Sequence, residues 1–164
     1  MAERANWFYW DTSVFLSYFN HNPSRHANID AVLRYIRSTD GARLIVTSTF
    51  TKVEVSYYQD ELDSQQLSSD TEETFDFFWN DRSVMRFVDV TDEIAKRARH
   101  LKRVIRSQGH TLKTPDAIHL ASASFMGVAE MHSYDGPGHL RFDGQMTFRI
   151  CHPRVISGTQ PRLL

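Results

Sequence analysis

A chain of 164 residues has the size of one ordinary domain and leaves no room for a second core of comparable size. Its 41% hydrophobic and 24% charged residues, with three Trp, six Tyr and eleven Phe, exclude a disordered chain as the default reading. A net charge of −1 argues against a protein that coats nucleic acid by bulk electrostatics.

Residues 6–10 form a short aromatic segment that predicts a strand ending at Asp11, after which Thr12 or Ser13 can cap a helix carrying Val14, Phe15, Tyr18 and Phe19. Ile29, Val32, Leu33 and Ile36 fall at i, i+3, i+4 and i+7, the stripe of an amphipathic helix that Gly41 ends. Residues 42–47 predict the second strand. A helical stretch follows from near Ser48, where Thr51 and Glu54 have capping-box spacing and Val53, Tyr57 and Tyr58 supply a buried face. Ser69 and Glu72 repeat that spacing ahead of Phe75, Phe78 and Trp79. Residues 85–90 predict a third strand, and Thr91 caps a helix with the stripe Ile94, Ala98, Leu101 and Ile105, closed by Gly109. Thr114 reads as an N-cap with Pro115 at the first helical position, which puts Asp116 in the first turn of a helix running to Gly127. Residues 128–134 predict a fourth strand ending at Asp135, and residues 146–151 a fifth. Such alternation predicts an α/β fold, a three-layer α/β/α sandwich with a mainly parallel central sheet of four to five strands. Residues 1–154 are expected to form one domain and residues 155–164 a loose tail.

The charges are segregated. Between Val53 and Asn80 eight acids occur without a Lys or Arg, whereas from Lys96 to Lys113 Lys96, Arg97, Arg99, Lys102, Arg103, Arg106 and Lys113 occur without one acid. A polyanion would prefer the second stretch, so Arg99, Lys102, Arg103, Arg106 and Lys113 are candidate polyanion contacts, against the commoner reading of a charge run as a solvated face. Cys151 stands alone, which excludes an intrachain disulfide; with only His152 beside it, it makes a poor zinc site and reads as a small core residue. Residues 1–6 lack an apolar leader core, and no run nears the ~18 apolar residues of a spanning helix, so a cytoplasmic protein with no membrane partner is expected.

In an open parallel sheet, ligands bind beyond the carboxyl ends of the strands. Asp11 and Asp135 fall at such ends, Asp116 opens the helix before the fourth strand, and Glu54 lies early in the helix after the second. If strands two, one and four are neighbours, all four carboxylates converge. Two such charges ~5 Å apart repel by about 3 kcal/mol at an effective dielectric of 20, so the cluster is expected to have raised pKa values and to require a cation. Oxygen ligands without Cys or His favour Mg²⁺ or Mn²⁺, which can activate water for attack on a phosphodiester. His119, three residues beyond Asp116, reads as a helix-surface histidine bonded to a neighbour.

The stretches YWDTSVFL (residues 9–16), KTPDAIHLASA (113–123) and SYD (133–135) resemble the first, third and fourth acidic motifs of the PIN-domain family, in matching order and separation over residues 7–150. The resemblance implies a Mg²⁺- or Mn²⁺-dependent ribonuclease, often the VapC toxin of a toxin–antitoxin pair. Asp11, Glu54, Asp116 and Asp135 are then its metal-binding acids, with Ser13 and Thr114 in support. RNA, an antitoxin and a second copy of the chain are the expected partners. Where the family has a short spacer and a Phe after the fourth acid, this chain has Gly136-Pro-Gly-His-Leu-Arg-Phe142, and Asp143 competes with Asp135 for the role. The alternative is a PIN-fold module that binds RNA or protein without cleaving. Trp7, Trp10, Phe15, Tyr18 and Phe19 read mostly as core, with a groove for an antitoxin tail as the functional reading.

Overall fold

The computed structural model describes residues 6–155. Its elements in order are β1 (Phe8–Trp10), α1 (Thr12–Phe19), α2 (His26–Ser38), β2 (Ile45–Ser48), α3 (Thr51–Glu54), α4 (Gln59–Ser64), α5 (Thr71–Trp79), β3 (Met85–Val88), α6 (Asp92–Ser107), α7 (Thr114–Met126), β4 (Glu130–His132) and β5 (Arg149–Cys151). All strand pairs are parallel, in the order β3-β2-β1-β4-β5. β1 thus lies between β2 and β4, the neighbourhood that convergence of the carboxylates requires.

Alternation along the strands creates two cores. Phe8 and Trp10 of β1, with Ile45 and Met85, face one side of the sheet and pack against Phe15, Phe19, Ile29, Leu33, Ile36, Phe75 and Trp79 from α1, α2 and α5. Tyr9, Val46, Met131 and Ile150 face the other side, against Ile94, Ala98, Ile105, Ala117, Leu120 and Ala121 from α6 and α7. Helices on both faces leave the central strands no solvated side, so β1, β2 and β4 are buried throughout, while the edge strands β3 and β5 are partly exposed. The short β1 rests on this double covering and on two parallel neighbours. Gly127 ends α7 with φ 62°, a left-handed turn that feeds β4. No described helix is long and apolar enough to cross a membrane.

Several local expectations are corrected. Asp11, not Thr12 or Ser13, caps α1 by accepting from Val14 N. The Thr51–Glu54 capping box does not form, because Thr51 Oγ1 pairs with Thr47 Oγ1 at 2.7 Å and the Glu54 carboxylate turns to Thr12 and His119. Val53 and Tyr57 are exposed and Val55 is buried instead. The Ser69–Glu72 box is also absent: α5 starts at Thr71, whose hydroxyl donates to Glu61 across the loop from α4. Thr114 is the first residue of α7, preceded by Lys113 with no side-chain cap. Cys151 is half-buried rather than a core residue. Trp10, Phe15 and Phe19 are buried, in keeping with the core reading. Of the expected tail, residues 156–164 lie outside the described residues, as do residues 1–5 of the expected domain.

Candidate metal centre and nucleic-acid face

Asp11 leaves β1 at its carboxyl end and is 1% exposed. One oxygen, Oδ1, accepts from Ser13 Oγ at 2.5 Å and Val14 N at 3.2 Å; the other accepts from Ser133 Oγ and from His139 Nδ1 at 2.7 Å. Four donors fill the lone-pair positions of a carboxylate. Burial pushes the Asp11 pKa up, but the hydrogen bond and charge of His139, with the bonds from Ser13 and Ser133, outweigh it and hold the carboxyl below its ordinary value. Ser13 also accepts from Tyr134 N at 2.8 Å, so it ties Asp11 to the end of β4.

Asp116, in the first turn of α7, faces Asp135 and His139. One potential ligand atom from each of the three lies within 4.8 Å of the other two. Asp135 is oriented by its own backbone, its N–H donating to Ser133 Oγ at 2.9 Å and its Oδ1 accepting from Gly138 N at 2.9 Å. Asp116 has a raised pKa, chiefly through burial, with the charge of Asp135 adding to it. Asp143, the competitor, accepts instead from Ile150 N at 2.9 Å and holds the loop to β5.

His139 arrives here because the long turn after Asp135 coils back: the N–H groups of His139 and Leu140 donate to Asp135 O at 3.1 and 2.9 Å, and that of Arg141 to Gly136 O at 3.1 Å. Gly138 leaves room for the two acids: a Cβ there would overlap Asp135 Oδ2 and stand 3.0 Å from Asp116 Oδ1. Burial lowers the His139 pKa, but the bond and charge of Asp11 and the charges of Asp116 and Asp135 leave it above the ordinary histidine value.

Glu54 is the last residue of α3, and its side chain is engaged by Thr12 and His119. Its Oε2 accepts from Thr12 Oγ1 and lies 2.6 Å from His119 Nε2. His119 Nδ1 lies 2.8 Å from the Tyr9 hydroxyl, which accepts from Ser48 N at 3.2 Å. Only an N–H suits a carboxylate, so His119 carries its proton on Nε2 and Tyr9 donates to Nδ1. His119 is therefore a buried link at 1% exposure, not the surface residue expected. Burial raises the Glu54 pKa, but the hydrogen bonds from His119 and Thr12 bring it below its ordinary value. The expectation that repulsion raises all four acids is thus corrected: Asp11 and Glu54 are lowered, each by a histidine. The pattern missed Tyr9, Thr12, Ser133, His119 and His139. The lengthened turn after Asp135 was the visible mark of His139.

The basic residues face a groove beside this centre. Arg99, Lys102, Arg103 and Arg106 of α6 line a cavity of about 910 Å³ with Ala98, Leu112, Thr114, Ala117 and Ile118. Lys96 and Arg97 are paired with Asp92 and Glu93 one turn back at 2.5 and 2.7 Å, whereas no carboxylate partners Arg99, Lys102, Arg103, Arg106 or Lys113 among the described residues. Lys102 Nζ donates to Thr114 Oγ1 at 2.7 Å, joining the basic face to the turn that carries Asp116.

A second histidine–carboxylate cluster lies on β4 and β5: Glu130, His132 and Cys151. Trp10 Nε1 donates to His132 Nδ1 at 3.1 Å. Indole is a donor only, so neutral His132 carries its proton on Nε2 and donates it to Glu130 Oε2 at 3.2 Å. Arg154 pairs with both Glu130 oxygens. Burial raises the Glu130 pKa, but His132 and Arg154 bring it down to about 2. With Nε2 protonated and both carboxylate oxygens taken, this group offers a cation no free ligand set.

A family model described as the PIN domain matches residues 8–136. No curated protein sequence matches the chain. Among solved structures, VapBC2 from Rickettsia felis, bound to a DNA fragment from its promoter, superposes with TM-score 0.64 at 12% identity, covering 89% of this chain and 97% of that one. FitAcB from Neisseria gonorrhoeae gives 0.61 at 13%, covering 89% and 97%. VapC20 from Mycobacterium tuberculosis, a Sarcin-Ricin loop cleaving toxin, gives 0.55 at 19%, covering 79% and 90%. At such identities the superpositions establish shared architecture. With the family model spanning β1, the acidic centre and the end of β4, this chain belongs to the PIN domain family.

Proposed function

We propose that this chain is a Mg²⁺- or Mn²⁺-dependent endoribonuclease, the cytoplasmic toxin of a toxin–antitoxin pair, with Asp11, Glu54, Asp116 and Asp135 as the acids of its centre. The observation that carries this reading is the convergence of Asp11, Asp116 and Asp135 at the carboxyl ends of β1 and β4, beside a groove of unpaired cations. The donor set fits a divalent cation: Asp116 and Asp135 face each other with His139 between them and Asp11. Such a cation would offset phosphodiester charge and acidify water. The chain's own groups would do the rest. Arg99, Lys102, Arg103, Arg106 and Lys113 attract the RNA backbone, Ser13 and Ser133 fix Asp11, and His119 fixes Glu54.

The protein partner is inferred from the likeness to toxin–antitoxin complexes. A groove lined by Tyr18, Phe19, Tyr58, Phe77 and Phe78, of which Phe77 is largely exposed, is the surface we assign to it.

Cleavage of single-stranded RNA should require Mn²⁺ or Mg²⁺ and stop in EDTA. Equal cleavage in EDTA would reject the mechanism. Exchanging Arg99, Lys102, Arg103 and Arg106 for Gln should flatten the slope of log affinity against log salt by up to ~3, at ~0.7 for each phosphate of a single strand that is no longer neutralised. An unchanged slope returns α6 to a solvated face, and RNA binding without any cleavage would favour the non-catalytic module.

A further inference from the structure

Among the described residues, three buried side-chain polar atoms have no hydrogen-bond partner: Trp79 Nε1, Ser122 Oγ and His139 Nε2. The last is placed where a partner would matter. His139 is 2% exposed, its Nδ1 is engaged by Asp11 Oδ2 at 2.7 Å, and its Nε2 stands 3.7 Å from Asp116 Oδ1, too far for a hydrogen bond. When neutral, an imidazole whose Nδ1–H donates to a carboxylate keeps its lone pair on Nε2 in a fixed ring plane, and a cation takes the place of the second proton. That is the arrangement by which proteins present a histidine to a metal, the carboxylate setting tautomer and direction.

We propose that His139 is a nitrogen ligand of the centre, its Nε2 joining Asp116 and Asp135 around one divalent cation, with Asp11 acting on that cation through His139. The inference rests on the metal-dependent reading above and specifies which atoms hold the ion. Asp11 already accepts four hydrogen bonds, so it has no lone-pair direction to spare without giving one up. Asp116 has no side-chain hydrogen bond to offset its charge, and Asp135 keeps Oδ2 free of one. Ligands ~2.1 Å from one ion stand ~3 to ~4.2 Å apart in an octahedron, and the 3.7 Å between Nε2 and Asp116 Oδ1 lies within that span.

The consequence is selectivity. A set made of oxygens alone suits Mg²⁺, whereas an imidazole moves preference towards Mn²⁺ and the later first-row ions. Wild type should bind Mn²⁺ at least ~10-fold more tightly than Mg²⁺, and His139→Gln should shrink that ratio about tenfold.

The full chain loaded with one equivalent of Mn²⁺ is to be studied by electron spin echo spectroscopy, with natural and with ¹⁵N-labelled histidine. A nitrogen modulation that changes isotope with the histidine label is expected in wild type. It should persist in His119→Gln and vanish in His139→Gln; the labelling comparison needs no variant to fold. If Mn²⁺ binds at one site without histidine modulation, or the modulation survives in folded His139→Gln, the ligand assignment is overturned while the metal-dependent reading stands. If no Mn²⁺ binds at millimolar concentration, that reading fails and the assignment falls with it.

Discussion

Two histidine–carboxylate clusters sit within a few residues of each other along the chain, and they are finished differently. In Glu130–His132 every polar atom has its complement: Trp10 fixes one ring nitrogen, Glu130 accepts from the other, and Arg154 neutralises the carboxylate. In the cluster of Asp11, Asp116, Asp135 and His139, the histidine is fixed on one side and left open on the other, facing two carboxylates that no Lys or Arg pairs among the described residues. Residue types alone do not separate the two, since both combine His with Asp or Glu, and the first even adds a cysteine. What separates them is satisfaction. A buried charge with all partners present stabilises a structure, and a buried ligand set lacking one partner is available for chemistry.

Substitution should break the two clusters in opposite ways. Asp116→Asn should lower RNA cleavage at least ~100-fold and abolish the rise in melting temperature on adding Mn²⁺, while leaving stability in EDTA unchanged or higher, because it removes one of two facing carboxylates. Calorimetry in EDTA and in Mn²⁺, beside a cleavage assay, reads both. An undiminished Mn²⁺ response would return Asp116 to an ordinary helix-start residue. Glu130→Ala should do the reverse. It strands His132 Nε2–H and Arg154, and should cost about 2–3 kcal/mol of stability in denaturant unfolding, less than a fully buried pair because Arg154 is exposed to screening. Cleavage per folded molecule should persist. A loss of activity beyond the loss of fold would mean that the two clusters are coupled.

A smaller effect sharpens the contrast. Gly138→Ala puts a methyl group against the end of the Asp135 side chain, which can swing aside, so stability should change by less than ~1 kcal/mol while Mn²⁺ affinity falls about tenfold. Titration calorimetry with Mn²⁺ checks it, and unchanged affinity would remove Asp135 from the ligand set. The last effect is in acid. With a folded pKa of about 2 against ~4.3 unfolded, Glu130 contributes stability that is present above the unfolded value and lost as pH falls through the folded one. Unfolding followed from pH 5 to pH 2 should therefore show a steeper loss in wild type than in Glu130→Gln, which keeps only the part due to the other lowered acids such as Asp11 and Glu54. Parallel curves would deny the ion pair its role.

Much was legible before the fold was known. The periodicity of Ile29, Val32, Leu33 and Ile36 and of Ile94, Ala98 and Ile105 marked α2 and α6, because a helix buries a stripe whatever it packs against. Strand existence followed from apolar runs between turn residues, and Asp11 and Asp116 from their places at a strand end and a helix start. The capping boxes at Thr51 and Ser69 failed because tertiary partners, Thr47, His119 and Glu61, outcompete the local backbone for those side chains. The histidines failed for the same reason. Nothing local distinguishes His119 from His132, and only the lengthened turn after Asp135 marks His139.

The sequence by itself determined the parallel α/β architecture, the segregation of charge and the acids at the strand ends, since each depends on neighbours in the chain or on periodicity. Which histidine is satisfied and which is left open depends on partners 122 residues away for His132 and 128 for His139. Those pairings exist only once β1 is set beside β4. Hydrogen-bond satisfaction is a property of directions in space, and the tertiary structure alone decides it.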